Sequence, residues 1–130
     1  MFGSKADALL AGALVIWMTT VRPDGQPQAS PVWFVIDEDE FLVYSRPGAP
    51  RLRNLASNPR VALNLDSDEG GDVVTIEGVA RVVVGPRADH HSGYLAKYTK
   101  PIARLGYTPQ QFGEAYSVAL RVTTTRWRAF

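Results

Sequence analysis

The chain has 130 residues, with fourteen Lys and Arg against thirteen Asp and Glu and no cysteine. That length suits one domain spanning residues 1–130, able to bury roughly two-thirds of its unfolded surface without staples. A formal charge of +1 argues against a nucleic-acid or membrane-surface binder, which would carry a basic excess; the lack of cysteine excludes disulfides, thiolate metal sites and cysteine nucleophiles together.

In chain order, Ser4 to Ala11 reads as a short helix with Ser4 as its N-cap. No apolar run approaches the ~20 residues of a membrane span. The N-terminus lacks the basic flank and small-residue cleavage site of a secretory signal, so a cytoplasmic protein is expected. Leu14 to Val21 is apolar, β-branched and aromatic and reads as a first strand. Arg22-Pro23-Asp24-Gly25 has Pro and Gly at the positions a type I turn favours, and Gln26 to Ile36 returns as a second strand to make a hairpin. Asp37 to Glu40 is a charged turn and Phe41 to Ser45 a third strand.

From Gly48 to Ser57 the period changes to helical. Leu52, Leu55 and Ala56 form the predicted apolar face, with Arg51, Arg53 and Asn54 off it, and Asn58-Pro59 stops the helix. Val61 to Leu65 is a fourth strand, Asp66 to Asp72 an acidic loop, and Val73 to Val84 a long fifth strand whose Gly78 predicts a bulge or close backbone approach. Arg87 to Arg104 reads as mostly helical, and Thr108-Pro109 as the N-cap and first residue of another short helix. Tyr116 to Val122 is a sixth strand, followed by a Thr-rich, aromatic tail. The prediction is a mainly β fold with short helices (α+β), its six antiparallel strands making a small barrel. The first strand is apolar on both faces, with Val15, Trp17 and Val21 on one and Ile16 and Met18 on the other. Such a surface needs covering by helices or by a second subunit, which favours a homodimer.

The segment from Ser45 to Leu55 is the most informative chemically. The first turn of a helix prefers Asp or Glu, because its free N–H groups carry partial positive charge. Here that turn holds Arg51 and Arg53 and no acid, which is unfavourable by roughly 0.3–1 kcal/mol per cation unless an anion joins them. Exposed N–H groups and guanidinium forks suit phosphate. The two arginines lie about 200° apart around the helix and could hold such a group from two sides. Ser45 adds a hydroxyl and Asn54 an amide donor. Solvation of both arginines is the plainer alternative. Near this segment, Ser30-Pro31-Val32-Trp33-Phe34 runs beside Thr19-Thr20-Val21, a setting that could frame a flat ring system with apolar walls and few acid–base groups. Trp33 and Phe34 alternate, so one of the two is expected in the core.

Other candidates are weaker. His90 and His91 are the only histidines; adjacent on a helix, they would point about 100° apart, which reads as surface rather than as one metal site. The Asp66–Asp72 acids lack EF-hand spacing, and neither GxGxxG nor a P-loop is present. Lys97 and Lys100 read as a solvated helix face, or as an extension of an anion site.

Taken together, Met18-Thr19-Thr20-Val21-Arg22-Pro23-Asp24-Gly25-Gln26-Pro27 followed by Pro31-Val32-Trp33-Phe34 resembles the opening hairpin of the pyridoxamine 5′-phosphate oxidase-like, split β-barrel flavin- and deazaflavin-binding proteins. Pro50-Arg51-Leu52-Arg53-Asn54-Leu55, with Asn58-Pro59-Arg60-Val61 after it, resembles their phosphate-binding helix and following strand. Ile76-Glu77-Gly78-Val79-Ala80 resembles the next strand, and Trp127-Arg128-Ala129-Phe130 the closing tail of one branch.

The resemblance implies a six-stranded antiparallel split β-barrel of the FMN-binding type, a homodimer with two cofactor sites at the subunit interface, and a small-molecule substrate. It implies coenzyme F420 as cofactor, with FMN used by near relatives. Arg51, Arg53 and Asn54 would hold the cofactor phosphate with Ser45 nearby, while Thr19, Thr20, Pro31, Val32 and Trp33 would line the ring. The chain is shorter than true pyridoxamine phosphate oxidases and lacks their extended C-terminal region, so pyridoxamine phosphate is not the expected substrate. The expectation is a reductase transferring a hydride from reduced F420 to a small conjugated acceptor. An FMN-dependent oxidoreductase of the same fold and a non-catalytic flavin or F420 carrier remain as alternatives.

Overall fold

The computed structural model describes all residues, 1–130. Helix α1 (Ser4–Gly12) is followed by strands β1 (Ile16–Val21), β2 (Pro27–Val32), β3 (Val35–Asp37) and β4 (Glu40–Ser45), then helix α2 (Pro50–Ser57). Strands β5 (Arg60–Asn64) and β6 (Val74–Val83) come next. A single 3₁₀ turn (Ala88–His90), helices α3 (Ser92–Arg104) and α4 (Pro109–Ala115), and strand β7 (Val118–Ala129) complete the chain. No helix is long and apolar enough to cross a membrane.

All seven strands form one sheet in the order β2-β1-β5-β6-β7-β4-β3, and every pairing is antiparallel. Strands β2 and β3 are the two edges, yet only Trp33 and Phe34 separate them in the chain. Three Cα–Cα steps reach at most about 11 Å, so the sheet must curl until its edges nearly meet without pairing. The result is a split barrel with seven strands rather than six. The predicted second strand, Gln26 to Ile36, is in fact β2 and β3. The division falls at Phe34, whose N–H donates to the Tyr98 hydroxyl at 2.8 Å and whose carbonyl accepts from Lys97 Nζ at 3.0 Å. Side chains from α3 thus replace the ladder partners that the crossing gives up.

The interior of the barrel is filled by eighteen buried residues, among them Ile16, Met18, Phe34, Phe41, Leu63, Ile76 and Leu120. Helix α1 closes one end, with Phe2, Ala6 and Leu10 in that core and Phe2 edge-on to Trp127 at 5.5 Å. Ser4 is the first helical residue, not the cap: Gly3 holds that position at φ +87°, and no side chain caps the helix. A second cluster lies on the outer face of the sheet. There Val35, Leu42, Tyr44 and Ala119 meet Tyr94, Tyr98 and Ile102 of α3 and Phe112 of α4. Because β4 packs on both sides, its run Phe41-Leu42-Val43-Tyr44 is apolar without alternation. Trp33 and Phe34 divide as expected: Phe34 is fully buried in the barrel, and Trp33 joins the outer cluster.

Gly78 marks the predicted bulge. The register shifts between Glu77 and Gly78, and a Cβ at Gly78 would come within 2.6 Å of the Thr123 carbonyl oxygen and of Val122 Cγ1. Beyond it the ladder continues, so the predicted tail is instead the second half of β7, paired with β6 as far as Ala129. The helix predicted from Arg87 begins only at Ser92, where the His91 ring caps α3 by accepting the Tyr94 N–H at 3.0 Å.

Cross-strand charges tie the β3–β4 hairpin to β6 and β7. Glu40 accepts from Arg81 at 2.6 and 2.9 Å and from Thr123 at 2.8 Å, while Arg121 donates to Asp37 at 2.6 Å. The Arg81 guanidinium, aided by the Thr123 hydroxyl, lowers the Glu40 pKa from 4.5 to about 2. A carboxylate with a depressed folded pKa contributes stability above its unfolded value and loses it as pH falls. Stability should therefore decline between about pH 4.5 and about pH 2, and Glu40→Gln should flatten that decline, as read from urea midpoints across the window.

Candidate functional site

Helix α2 starts at Pro50 with Ala49 extended before it, and its first turn contains no acid and no side-chain cap. Arg51 turns back from this helix toward the strands. Its Nη1 donates to Ser45 Oγ at 2.9 Å and its Nη2 to Ser30 Oγ at 3.2 Å, while Nε is buried with no partner. No carboxylate pairs with it, and burial pushes its pKa below the ordinary arginine value. A half-buried cation held only by neutral hydroxyls keeps unused donor capacity.

One turn on, Asn54 is buried, and its amide donates to Thr20 Oγ1 and to Gln28 Oε1, each at 2.9 Å. The predicted helix face therefore needs correction. Arg51, Asn54 and Leu55, at i, i+3 and i+4, turn inward, and Ala56 is exposed. The reason is that β1 and β2 offer Ser30, Thr20 and Gln28 as polar partners, so a polar stripe can be buried beside Leu55. Arg53 points the other way and is exposed.

Arg51 also lines a cleft of about 230 Å³ beside Pro31, Val32 and Trp33. The remaining wall comes from Tyr44 and from residues of the α3–α4 region: Tyr94, Leu105, Phe112 and Tyr116. Trp33 stacks on Tyr98 at 4.8 Å and on Phe112 at 5.4 Å, and Phe112 stacks on Tyr116 at 4.4 Å. The Tyr94 hydroxyl is buried with no partner, and burial raises its pKa, so it stays protonated. At the rim, the Arg46 guanidinium lies 4.8 Å above the Tyr116 ring and donates to the Tyr107 hydroxyl at 2.9 Å.

Of the sequence-predicted residues, Pro31, Val32, Trp33, Ser45 and Arg51 converge on the cleft or its basic edge, and Thr20 and Asn54 form an adjoining polar network. Thr19 faces away from that network, as the alternating burial of β1 dictates. Sequence reasoning missed Tyr94, Phe112 and Tyr116. The Tyr94 and Tyr98 spacing on one face of α3 was the available signal, but nothing local says which strand that face will cover. No cluster of three or more His, Asp or Glu side chains is set to hold a metal. The arrangement offers an unpaired guanidinium at the edge of an aromatic-walled, largely apolar cleft, and no His, Asp, Glu or Lys lines it.

The profile of the Pyridoxamine 5′-phosphate oxidase family matches residues 2–130. The chain belongs to that family. Among solved structures it is similar to an F420 reductase, at 26% identity and a TM-score of 0.69, covering 94% of each chain. The heme storage protein HutZ from Vibrio cholerae is similar at 16% identity and a TM-score of 0.70, covering 98% of this chain and 94% of that one. An FAD-binding protein from Mesorhizobium loti is similar at 19% identity and a TM-score of 0.64, with 93% and 85% covered. The pyridoxamine 5′-phosphate oxidase fold is thus shared by proteins named for F420, for heme and for FAD.

The buried Asn54 network is testable without any ligand. Thr20→Val keeps the shape but leaves one Asn54 N–H without an acceptor, so unfolding free energy should fall by about 1–3 kcal/mol, measured by urea denaturation with Thr20→Ser as the control that retains the hydroxyl.

Proposed function

We propose that this chain is an F420-dependent reductase that passes a hydride from the reduced deazaflavin to a small conjugated acceptor. The observation that carries the reading is Arg51: a half-buried guanidinium at the start of a helix, with no carboxylate partner, at the edge of an aromatic cleft. Such a cation suits an anionic group brought by a ligand, and the apolar wall suits the ring attached to it. The likeness to an F420 reductase at 26% identity over 94% of each chain supports the deazaflavin as that ligand.

In this reading Arg51 holds the cofactor phosphate, with Ser45 and Ser30 fixing the guanidinium, and Arg53 contributes charge from the solvent side. Asn54 and Thr20 hold α2 against β1. Pro31, Val32 and Trp33 line the ring, and Thr19 contributes only through its strand. Bound, the cofactor supplies the hydride; the protein supplies placement and the exclusion of water. The Tyr94 hydroxyl, buried and without an acceptor, is a donor for a carbonyl of the bound ring or of the acceptor. FMN on the same residues is the second reading, and a non-catalytic carrier the third. The carrier reading draws on the absence of a titrating acid or base in the cleft and on the heme storage and FAD-binding neighbours.

We also propose a homodimer with the cofactor at its interface. Val15, Val79, Val82, Trp127 and Phe130 are all at least 39% exposed, more apolar surface on the strands and at their ends than a lone barrel in water would keep. Light scattering should give twice the chain mass; a monomer at micromolar concentration would remove this part of the reading.

Side-by-side fluorescence titration with F420 and FMN decides between the cofactors. Arg51→Ala should weaken binding of the preferred one by roughly 1.5–3 kcal/mol, on the order of 10- to 150-fold, and exposed Arg53→Ala by less. Unchanged affinity in Arg51→Ala would remove the site assignment. Binding without hydride transfer to quinones or other conjugated acceptors would favour the carrier.

A further inference from the structure

Of the three lysines, Lys5 is exposed and paired with Asp72 at 2.7 Å, and Lys100 is exposed on α3. Lys97 differs from both. Its Nζ is half-buried, 3.9 Å from the centre of the Phe34 ring and 3.0 Å from the Phe34 carbonyl oxygen, with no carboxylate partner. A ring face and one carbonyl stabilise an ammonium less than the water they replace, so this side chain gives up its proton more readily than an exposed lysine. Burial accordingly lowers its pKa from 10.5 to about 8. The neutral amine can keep one N–H on the Phe34 carbonyl and still carry a free lone pair.

Lys97 also lines a cavity of about 450 Å³ between the N-terminal segment, β3 and α3, apart from the cleft described above. Its apolar part is Met1, Leu10, Ala11, Val35 and Ile36. The charged and titratable groups around it are Asp7 and the N-terminal amine, which pair with each other, Asp37, which pairs with Arg121, exposed Asp39, and His91; Tyr98 flanks Lys97 on its own helix. With Asp7 and Asp37 already paired, Asp39 is the one unpaired carboxylate and no arginine lines this space, so beyond Lys97 itself nothing here draws an anionic guest.

We propose that Lys97 is a carbonyl-reactive amine and that this cavity takes small uncharged aldehydes. The Nζ lone pair adds to the carbonyl carbon, the carbonyl π pair moves to oxygen, and a proton passes from that nitrogen to the oxygen to give a neutral carbinolamine. Loss of water then leaves a C=N imine. No oxidant or reductant takes part, and addition of water reverses the step. The proposal is independent of the cofactor reading, since it involves neither Arg51 nor the aromatic cleft.

The test is reductive trapping on the full chain. Protein is incubated with propanal and sodium cyanoborohydride, and adducts are mapped by peptide mass spectrometry, which separates Lys97 from Lys5, Lys100 and the N-terminal amine. Near pH 8, about half of an amine with the Lys97 pKa is neutral, against under about 1% of an ordinary lysine. Lys97 should therefore be labelled at least roughly tenfold faster than Lys5 or Lys100, and that advantage should shrink as pH rises toward the ordinary lysine value. Glyoxylate, the anionic arm, should label Lys97 more slowly than propanal. Lys97→Arg should remove the fast site while circular dichroism stays unchanged. Equal rates at all three lysines would overturn the reactive-amine assignment, and faster labelling by glyoxylate would overturn the assignment to uncharged aldehydes.

Discussion

Two residues, Trp33 and Phe34, carry the chain from one edge of the sheet to the other, and this short crossing constrains everything around it. It fixes how far the sheet must curl, and it leaves Phe34 without strand partners. The Tyr98 hydroxyl meets that need by accepting the Phe34 N–H, and at 2.7 Å it also donates to the Leu14 carbonyl just before β1. One phenol from α3 thereby ties together the start of β1 and the gap between β2 and β3. With Tyr98 committed there, its ring becomes the platform on which Trp33 stacks, and the cleft opens on the far side of the same aromatic layer. The polar repair of the split barrel and the wall of the candidate site are one piece of structure.

The two half-buried cations without a carboxylate partner, Arg51 and Lys97, are solutions to one physical problem with different outcomes. A guanidinium cannot shed its proton at any ordinary pH, so the Arg51 charge persists despite burial, and only hydroxyls soften it. The Arg51 Nε keeps an unused N–H. An ammonium can lose its proton when dehydrated, so Lys97, under similar burial, moves toward neutrality instead. The elements that bury them impose the difference: Arg51 sits where a helix N-terminus adds further positive potential, whereas Lys97 lies against a ring face and a carbonyl, neither of which can carry a full counter-charge.

Much of the architecture was legible from local chemistry. The Arg22–Gly25 turn, the Thr108-Pro109 cap with its capping box and the Gly78 bulge follow from residue types whose backbone preferences are strong. The strand count was not legible, because the break at Phe34 is made by a hydroxyl sixty-four residues away, and an apolar run such as Val32 to Ile36 carries no mark of it. The end of β7 was missed for a related reason: threonines suit a loop or a strand, and only pairing with Val74 to Glu77 decides. At the site, the basic first turn of α2 stood out from sequence alone. The inward turn of Asn54 did not, since a buried asparagine is stable only where neighbouring strands bring acceptors, and here those acceptors are Thr20 and Gln28.

The same dependence on distant partners bears on how the site could vary within its fold. The barrel core and the β4–β7 pairing give the cleft only Val32 and Tyr44, whereas the α3–α4 segment supplies Tyr94, Leu105, Phe112 and Tyr116 to it. That segment joins β6 to β7 and is braced separately, by the Arg87–Asp89 pair at 2.7 Å and by the close approach of Asp89 to Gly113, where a Cβ would collide with its carboxylate. Changes in the α3–α4 segment can therefore reshape the aromatic wall while Arg51, Ser45 and Ser30, set by α2, β4 and β2, keep the guanidinium in place. In the proposed reading, a fold divided in this way would let one anchoring cation serve ligands of different ring shape.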